Sequence, residues 1–311
     1  MIHNKKVTIL LAAYRGAAYA GPQIESLLAQ DSKDWFLILS DDGGETEELL
    51  EEYASRYPEN ILHHRSGKRF GSAQKHFMYL VSLFGGEAPY TMCADQDDVW
   101  HKDKLRKTLT AMEEAEKGFD GPVLVHTDLE VTDKDLNTID ASFMHFSRLE
   151  GERKAFHQLL VQNTVTGCTM MINRSLAELI RPAAEEPDML MHDWWAALCA
   201  AAFGKIVFLP EATMDYRQHG KNVVGAKRAG SLGYMLSRLG GKARRMRDDT
   251  IRQTKAFLKY YGKEMPAEKK EAAEAFAELA AVGKLKRIRI LAEYHFWKNT
   301  LTRRMGQILF W

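Results

Sequence analysis

Residues 90–100, Tyr-Thr-Met-Cys-Ala-Asp-Gln-Asp-Asp-Val-Trp, decide how the rest of the chain is read. A short apolar run with the character of a buried strand ends directly in Asp95, Asp97 and Asp98. Like charges packed this closely repel, and a fold tolerates them most easily around a cation. Hard oxygen ligands suit Mg²⁺ or Mn²⁺, commonly beside substrate phosphates. The alternative is a solvated acidic turn at the start of a helix.

Upstream of this stretch the pattern is regular. Val7–Ala13 is a continuous apolar run, residues 35–40 are a second and Ile61–His63 a third. Helical spacing is expected over 23–30, with Pro22 near its first turn, then over 45–57 and 72–84, with a charged helix over 102–117. Strands alternating with helices imply right-handed crossovers and a mainly parallel sheet. Ligands bind such sheets beyond the carboxyl ends of the strands. Three distinctive loops fall there: Ala13-Tyr14-Arg15, Asp41-Asp42-Gly43-Gly44 and the Asp95–Asp98 acids. Their shared edge is the main sign of a site.

Downstream, strands are expected over 123–127, 166–173, 205–209 and 213–217, with helices over Phe156–Val161, Arg174–Ile180 and 191–203. Beyond residue 225 alternation stops, and 235–261, 267–282 and 285–309 read as helices. The chain of 311 residues has a net charge of +1, unevenly spread. Residues 227–311 hold 20 Lys/Arg against 8 Asp/Glu, and the rest 23 against 34. This divides the chain into an acidic domain over 1–226 and a basic helical region over 227–311. Cys93, Cys168 and Cys199 are too scattered for a disulfide framework or a zinc site, which suits a reducing compartment. No signal-peptide pattern and no apolar stretch of membrane-spanning length is read, so a cytoplasmic chain is expected.

The common nucleotide motifs are absent: there is no Gly-x-x-x-x-Gly-Lys-Ser/Thr, and no Gly-x-Gly-x-x-Gly follows a strand. An EF-hand reading from Asp95 fails at Trp100 and Arg106. Asp95-x-Asp97-x-Val99 also resembles the nucleophile motif of haloacid-dehalogenase-type phosphatases, although here three strand–helix units precede it.

Taken in order, Val7 to Tyr14, Ser26-Leu27-Leu28-Ala29-Gln30, Asp41-Asp42-Gly43, Ala94 to Trp100, Thr166-Gly167-Cys168, His192-Asp193-Trp194 and Tyr216-Arg217-Gln218-His219 resemble the inverting nucleotide-sugar glycosyltransferases of the GT-A fold. The likeness covers roughly residues 5–225, and Asp-Gln-Asp-Asp-Val-Trp is similar to the rhamnosyltransferase-like branch. It implies an α/β fold with a mixed, mainly parallel sheet flanked by helices. It implies transfer of a sugar, as from dTDP-rhamnose, to a glycan or lipid-linked glycan acceptor.

By this resemblance Ala12, Ala13 and Tyr14 form the loop under the base, and Asp42 or Asp41 accepts a hydrogen bond from the pyrimidine N–H. Arg69 and Lys75 contact the diphosphate or ribose. Asp97 ligates Mg²⁺ or Mn²⁺, Asp95 meets the ribose or the metal's shell, and His219 is a third ligand or a diphosphate contact. Asp98 is a weaker candidate and an alternative cap for the next helix. Asp193 is the general base, Gly167 lets the backbone pass close to ligand, and Trp194 and Trp195 form an acceptor platform, with one of the two expected in the core. Arg217 is expected to pair with a carboxylate.

The basic tail, with Met235, Leu236 and Leu239 and later Ile288, Leu291, Phe296 and Trp297, suits either an anionic membrane face or packing on the protein. No nucleic-acid module is recognised. A non-catalytic sugar-nucleotide-binding protein with a degenerate site is the remaining alternative.

Overall fold

The computed structural model describes residues 4–219 and 241–311. The expected boundary at residue 226, and the tail positions Met235, Leu236 and Leu239, lie outside them. The N-terminal half runs β1 (Val7–Ala13), α1 (Ala17–Leu28), β2 (Trp35–Asp41), α2 (Glu47–Arg56), β3 (Ile61–His63), α3 (Ala73–Phe84) and β4 (Tyr90–Asp95). These strands lie in the order β3-β2-β1-β4 and every pair is parallel. Their continuous apolar runs reflect burial on both faces: Leu10 packs into one core, Ile9 and Leu11 into the other.

Beyond β4 the pairing becomes mixed. The chain adds β5 (Val99–Trp100), α4 (Lys104–Glu116), β6 (Val123–Thr132), β7 (Thr138–Asp140), α5 (Phe143–Ser147), α6 (Phe156–Val161), β8 (Met170–Asn173), α7 (Arg174–Ile180), α8 (His192–Phe203) and β9 (Lys205–Arg217). Strand β8 is antiparallel to β4 and to β6, whereas β9 runs parallel to β6. The fold expectation therefore holds, with the parallel part confined to the first four strands and to β6–β9.

Several boundaries differ from the sequence reading. Helix α1 starts at Ala17, so Pro22 sits inside it rather than in its first turn. The Gly16 carbonyl opens the helix by accepting from Tyr19 and Ala20 N–H. The two strands expected over 205–217 are one, because a register irregularity opposite residues 127–130 absorbs the break around Pro210. The segment 166–173 enters its strand only after a 3-10 turn at Gly167–Thr169.

The C-terminal helices are α9 (Gly241–Tyr261), α10 (Ala267–Ala277), α11 (Lys284–Glu293) and α12 (Leu301–Phe310). The expected single helix over 285–309 is two, since His295 and Thr300 adopt positive φ and the Thr300 side chain caps α12. Ile251, Phe257, Tyr261, Phe276 and Trp311 share one core with Trp195 and Leu198 of α8, so the tail's inner side packs on the catalytic fold.

Candidate active site

The parallel register sets three loops side by side. Ala13 is paired with Asp41 and Ala12 with Asp95, so β1, β2 and β4 release their chains at one edge. The Tyr14 ring lies on Gly43: a Cβ there would fall 2.9 Å from Tyr14 Cδ2. Gln96 clamps the first loop, accepting from Tyr14 N–H and donating to Tyr14 O, both at 2.8 Å. A Cβ on Gly16 would sit 1.8 Å from Gln96 Oε1, so a methyl there would push the clamping amide aside.

Asp41 turns back on its own loop and accepts from Gly43, Gly44 and Thr46 N–H at 2.9–3.0 Å. Asp42, 6% exposed, accepts from Phe70 and Gly71 N–H and so ties down the loop after β3. Both acids brace this edge, and Asp42 joins two loops there. Arg69 immediately precedes Phe70 and is exposed, as is Lys75 in the first turn of α3.

At the end of β4 the three acids take different roles. Asp97 Oδ2 lies 2.7 Å from His219 Nε2, and His219 stacks on Tyr19 of α1 with ring centroids 4.7 Å apart. Arg217 grips the acidic turn by its backbone. Its Nε donates to Asp97 O and its Nη1 to Lys134 O, which fixes the acidic turn through its backbone. Asp98 does not cap α4, whose N-cap is Asp103. It is wholly buried, with its oxygens within 4.8 Å of Asp95 and the Cys168 thiol. Burial, with the charges of Asp95 and Asp97, pushes its carboxyl well above the ordinary range. Asp95 is raised to about 7 by burial first and then by Asp97 and Asp193. The start of α8 reaches the same edge through Gly167, which donates to Asp193 and whose neighbour Cys168 has its thiol within 4.8 Å of Asp95 and Asp98.

Asp193 is 7% exposed. Its Oδ2 accepts from Gly167 N–H at 3.0 Å and its Oδ1 from Asn163 Nδ2 at 3.2 Å. Asn163 is itself held by both backbone groups of Val165. Burial lifts the Asp193 carboxyl to about 7, against the backbone N–H groups of Trp194 and Gly167 that favour its charged form. That is a useful basicity for proton abstraction near neutral pH. Gly167 has a second reason to be glycine, because a Cβ there would fall 2.5 Å from His192 Nε2.

The tryptophan platform is corrected by the structure. Trp195 is 0% exposed, donates to Tyr261 OH and packs on Phe257. Trp194 is 8% exposed and donates to Leu159 O at 2.6 Å. After His192 and Asp193 the helix is apolar and buries both rings, so neither offers a face to a sugar.

Gln96, Asn163 and Tyr19 are site residues that the sequence reading missed. Gln96 stands between the acids, but only the β1–β4 register shows it facing Tyr14. Asn163 lies in an irregular segment with no local pattern at all.

Asp97 offers a carboxylate oxygen and His219 an imidazole nitrogen of the kinds that ligate divalent cations, and the two bond each other at 2.7 Å. Asp95 gathers instead with Asp98 and the Cys168 thiol, their ligand atoms within 4.8 Å of one another.

A parallel half-sheet with this acidic edge and a second, mixed half defines the GT-A class of glycosyltransferase folds. The chain matches glycosyl transferase family 2 over residues 8–181 and belongs to that family. It is similar to the dTDP-rhamnosyl transferase RfbG of Shigella flexneri, at 26% identity over 70% of this chain and 74% of the relative. Among solved structures it resembles S. aureus TarS 1-349 in complex with UDP-GlcNAc, with a TM-score of 0.54 and 12% identity over 97% of this chain and 88% of that one. It also resembles the mannosyltransferase PcManGT from Pyrobaculum calidifontis in complex with GDP-Man and Mn²⁺, with a TM-score of 0.50 and 13% identity over 98% and 86%.

Proposed function

We propose that this glycosyltransferase moves rhamnose from dTDP-rhamnose, with inversion, onto a hydroxyl of a glycan in cell-surface polysaccharide synthesis. The observation that carries the reading is the Asp97–His219 pair at the end of β4, with the helix-start Asp193 joined to the same edge through Gly167 and the Cys168–Asp95 contact. The likeness to RfbG supports the donor, and the nucleotide-sugar complexes of TarS and PcManGT support the donor class.

In this reading the 13–15 and 41–44 loops receive the nucleoside, held in register by Gln96 and Asp42. Arg69 and Lys75 are near enough in the chain to reach the diphosphate. A Mg²⁺ or Mn²⁺ held by Asp97 and His219, with Asp95 beside it, would neutralise charge on the leaving diphosphate. Asp193 takes the proton of the acceptor hydroxyl as its oxygen bonds the anomeric carbon; the bond from that carbon to the phosphate oxygen breaks with its electron pair. Gly167 and Asn163 hold the carboxylate in place for that transfer.

Thermal shift of the purified chain against dTDP-rhamnose, UDP-GlcNAc and GDP-mannose, with and without Mn²⁺, tests the donor. The expected result is the largest stabilisation, several degrees, with dTDP-rhamnose plus Mn²⁺. A larger shift with another sugar nucleotide would reassign the donor. Release of inorganic phosphate through an aspartyl-phosphate at Asp95 would support a phosphatase instead.

A further inference from the structure

We propose that the outer face of α11 and α12 docks on an anionic lipid bilayer. Helix α12 is turned inside out. Its polar Gln307 is buried, donating to Phe296 O and accepting from Lys298 N–H. Its apolar Leu301, Met305 and Leu309, spaced four residues apart, are 72%, 55% and 60% exposed. Leu285, beside Lys284 on α11, is 85% exposed. A row of leucine and methionine held outward by a buried glutamine is a surface built to be covered.

The surrounding charge selects the partner. The segments 241–247, 284–292 and 297–311 contain eleven Lys and Arg and no Asp or Glu. Leu309 lines a cleft of about 410 Å³ together with Arg244, Arg247, Lys284 and Arg287, so ridge and cations form one face. Arg247 and Arg287 are turned inward there on Trp311 O, which leaves the exposed Arg244, Lys284, Lys286 and Arg304 to meet an anionic surface. Apolar side chains that enter the headgroup boundary, ringed by cations, are the combination that binds anionic leaflets. Among the described residues no helix is long and apolar enough to cross a membrane, so the contact is peripheral.

The face connects to the acceptor side of the site. Asn299, just before Leu301, donates its N–H to Gln162, whose neighbour Asn163 holds Asp193. Resting on the glycosyltransfer reading, this suits an acceptor carried in the membrane.

The test is co-sedimentation of the full chain with phosphatidylcholine vesicles, with or without a third of phosphatidylglycerol. Binding at least tenfold stronger to the anionic vesicles, weakened by raised salt, is expected. Replacing Leu301, Met305 and Leu309 together by Gln is expected to lower it about tenfold without changing the melting temperature or donor binding, as is the pair Lys284→Glu and Lys286→Glu. Equal binding to both vesicle types, or triple and paired variants that bind like the wild type, would overturn the proposal. So would a dimer that the triple variant converts to monomer, or tighter retention by duplex DNA than by the vesicles. Donor binding is read separately, so loss of membrane binding and loss of the glycosyltransfer reading are distinguishable.

Discussion

On the proposed mechanism, Asp193 concentrates the chemistry at the level of single residues. Its carboxyl is held at about 7 by burial, and as a base it must be ionised. We expect kcat/KM to rise with pH up to about 7 and then level off. Asn163→Ala removes a donor to the charged form, so the acid limb should move to higher pH; a pH–rate profile of both proteins reads this directly. The sign for stability is the reverse. The folded state keeps a proton that the unfolded chain loses above about 4, so this contribution falls as pH rises towards 7. Melting curves across that window should show a smaller fall for Asp193→Asn. The residue identities of the acidic edge were legible in the sequence because carboxylates clustered after a strand are unusual. Their division of labour was not. Asp95 and Asp98 gather with Cys168 while Asp97 turns to His219, contacts between residues distant in sequence.

At the level of elements, β1 to β4 were legible because double-sided burial forces continuous apolar runs. Strand β9 and the α11–α12 break were not, because a sheet irregularity and two positive-φ residues depend on tertiary contacts. The first loop is where element geometry becomes function. Gln96→Ala should leave the fold intact but release the Tyr14 loop, raising KM for the donor about tenfold while kcat changes less. Gly16→Ala presses a methyl into Gln96 and should destabilise the protein by about 1–3 kcal/mol, measurable by urea unfolding. If Gly16→Ala were neutral in stability and in donor KM, the clamp would not matter to this site.

Over the whole molecule, the basic region is less separate than its charge suggests. Trp195 of α8 lies against Phe257, Tyr260 and Tyr261 of α9. Phe257→Ala should therefore cost about 3–5 kcal/mol and lower a single melting transition of the entire chain. A second transition that moves alone would show two independent domains. Charge patterning pointed to the unusual character of the tail, but not to the half of it that is core.

Acceptor activation by Asp193 is the central step of the proposed reaction. The direct measurement is acceptor-dependent release of dTDP from dTDP-rhamnose by wild type and Asp193→Asn, with donor binding followed in parallel by thermal shift. We predict that Asp193→Asn loses at least about 10²-fold in turnover while donor with Mn²⁺ still stabilises it. Turnover within a few fold of wild type would contradict the assignment.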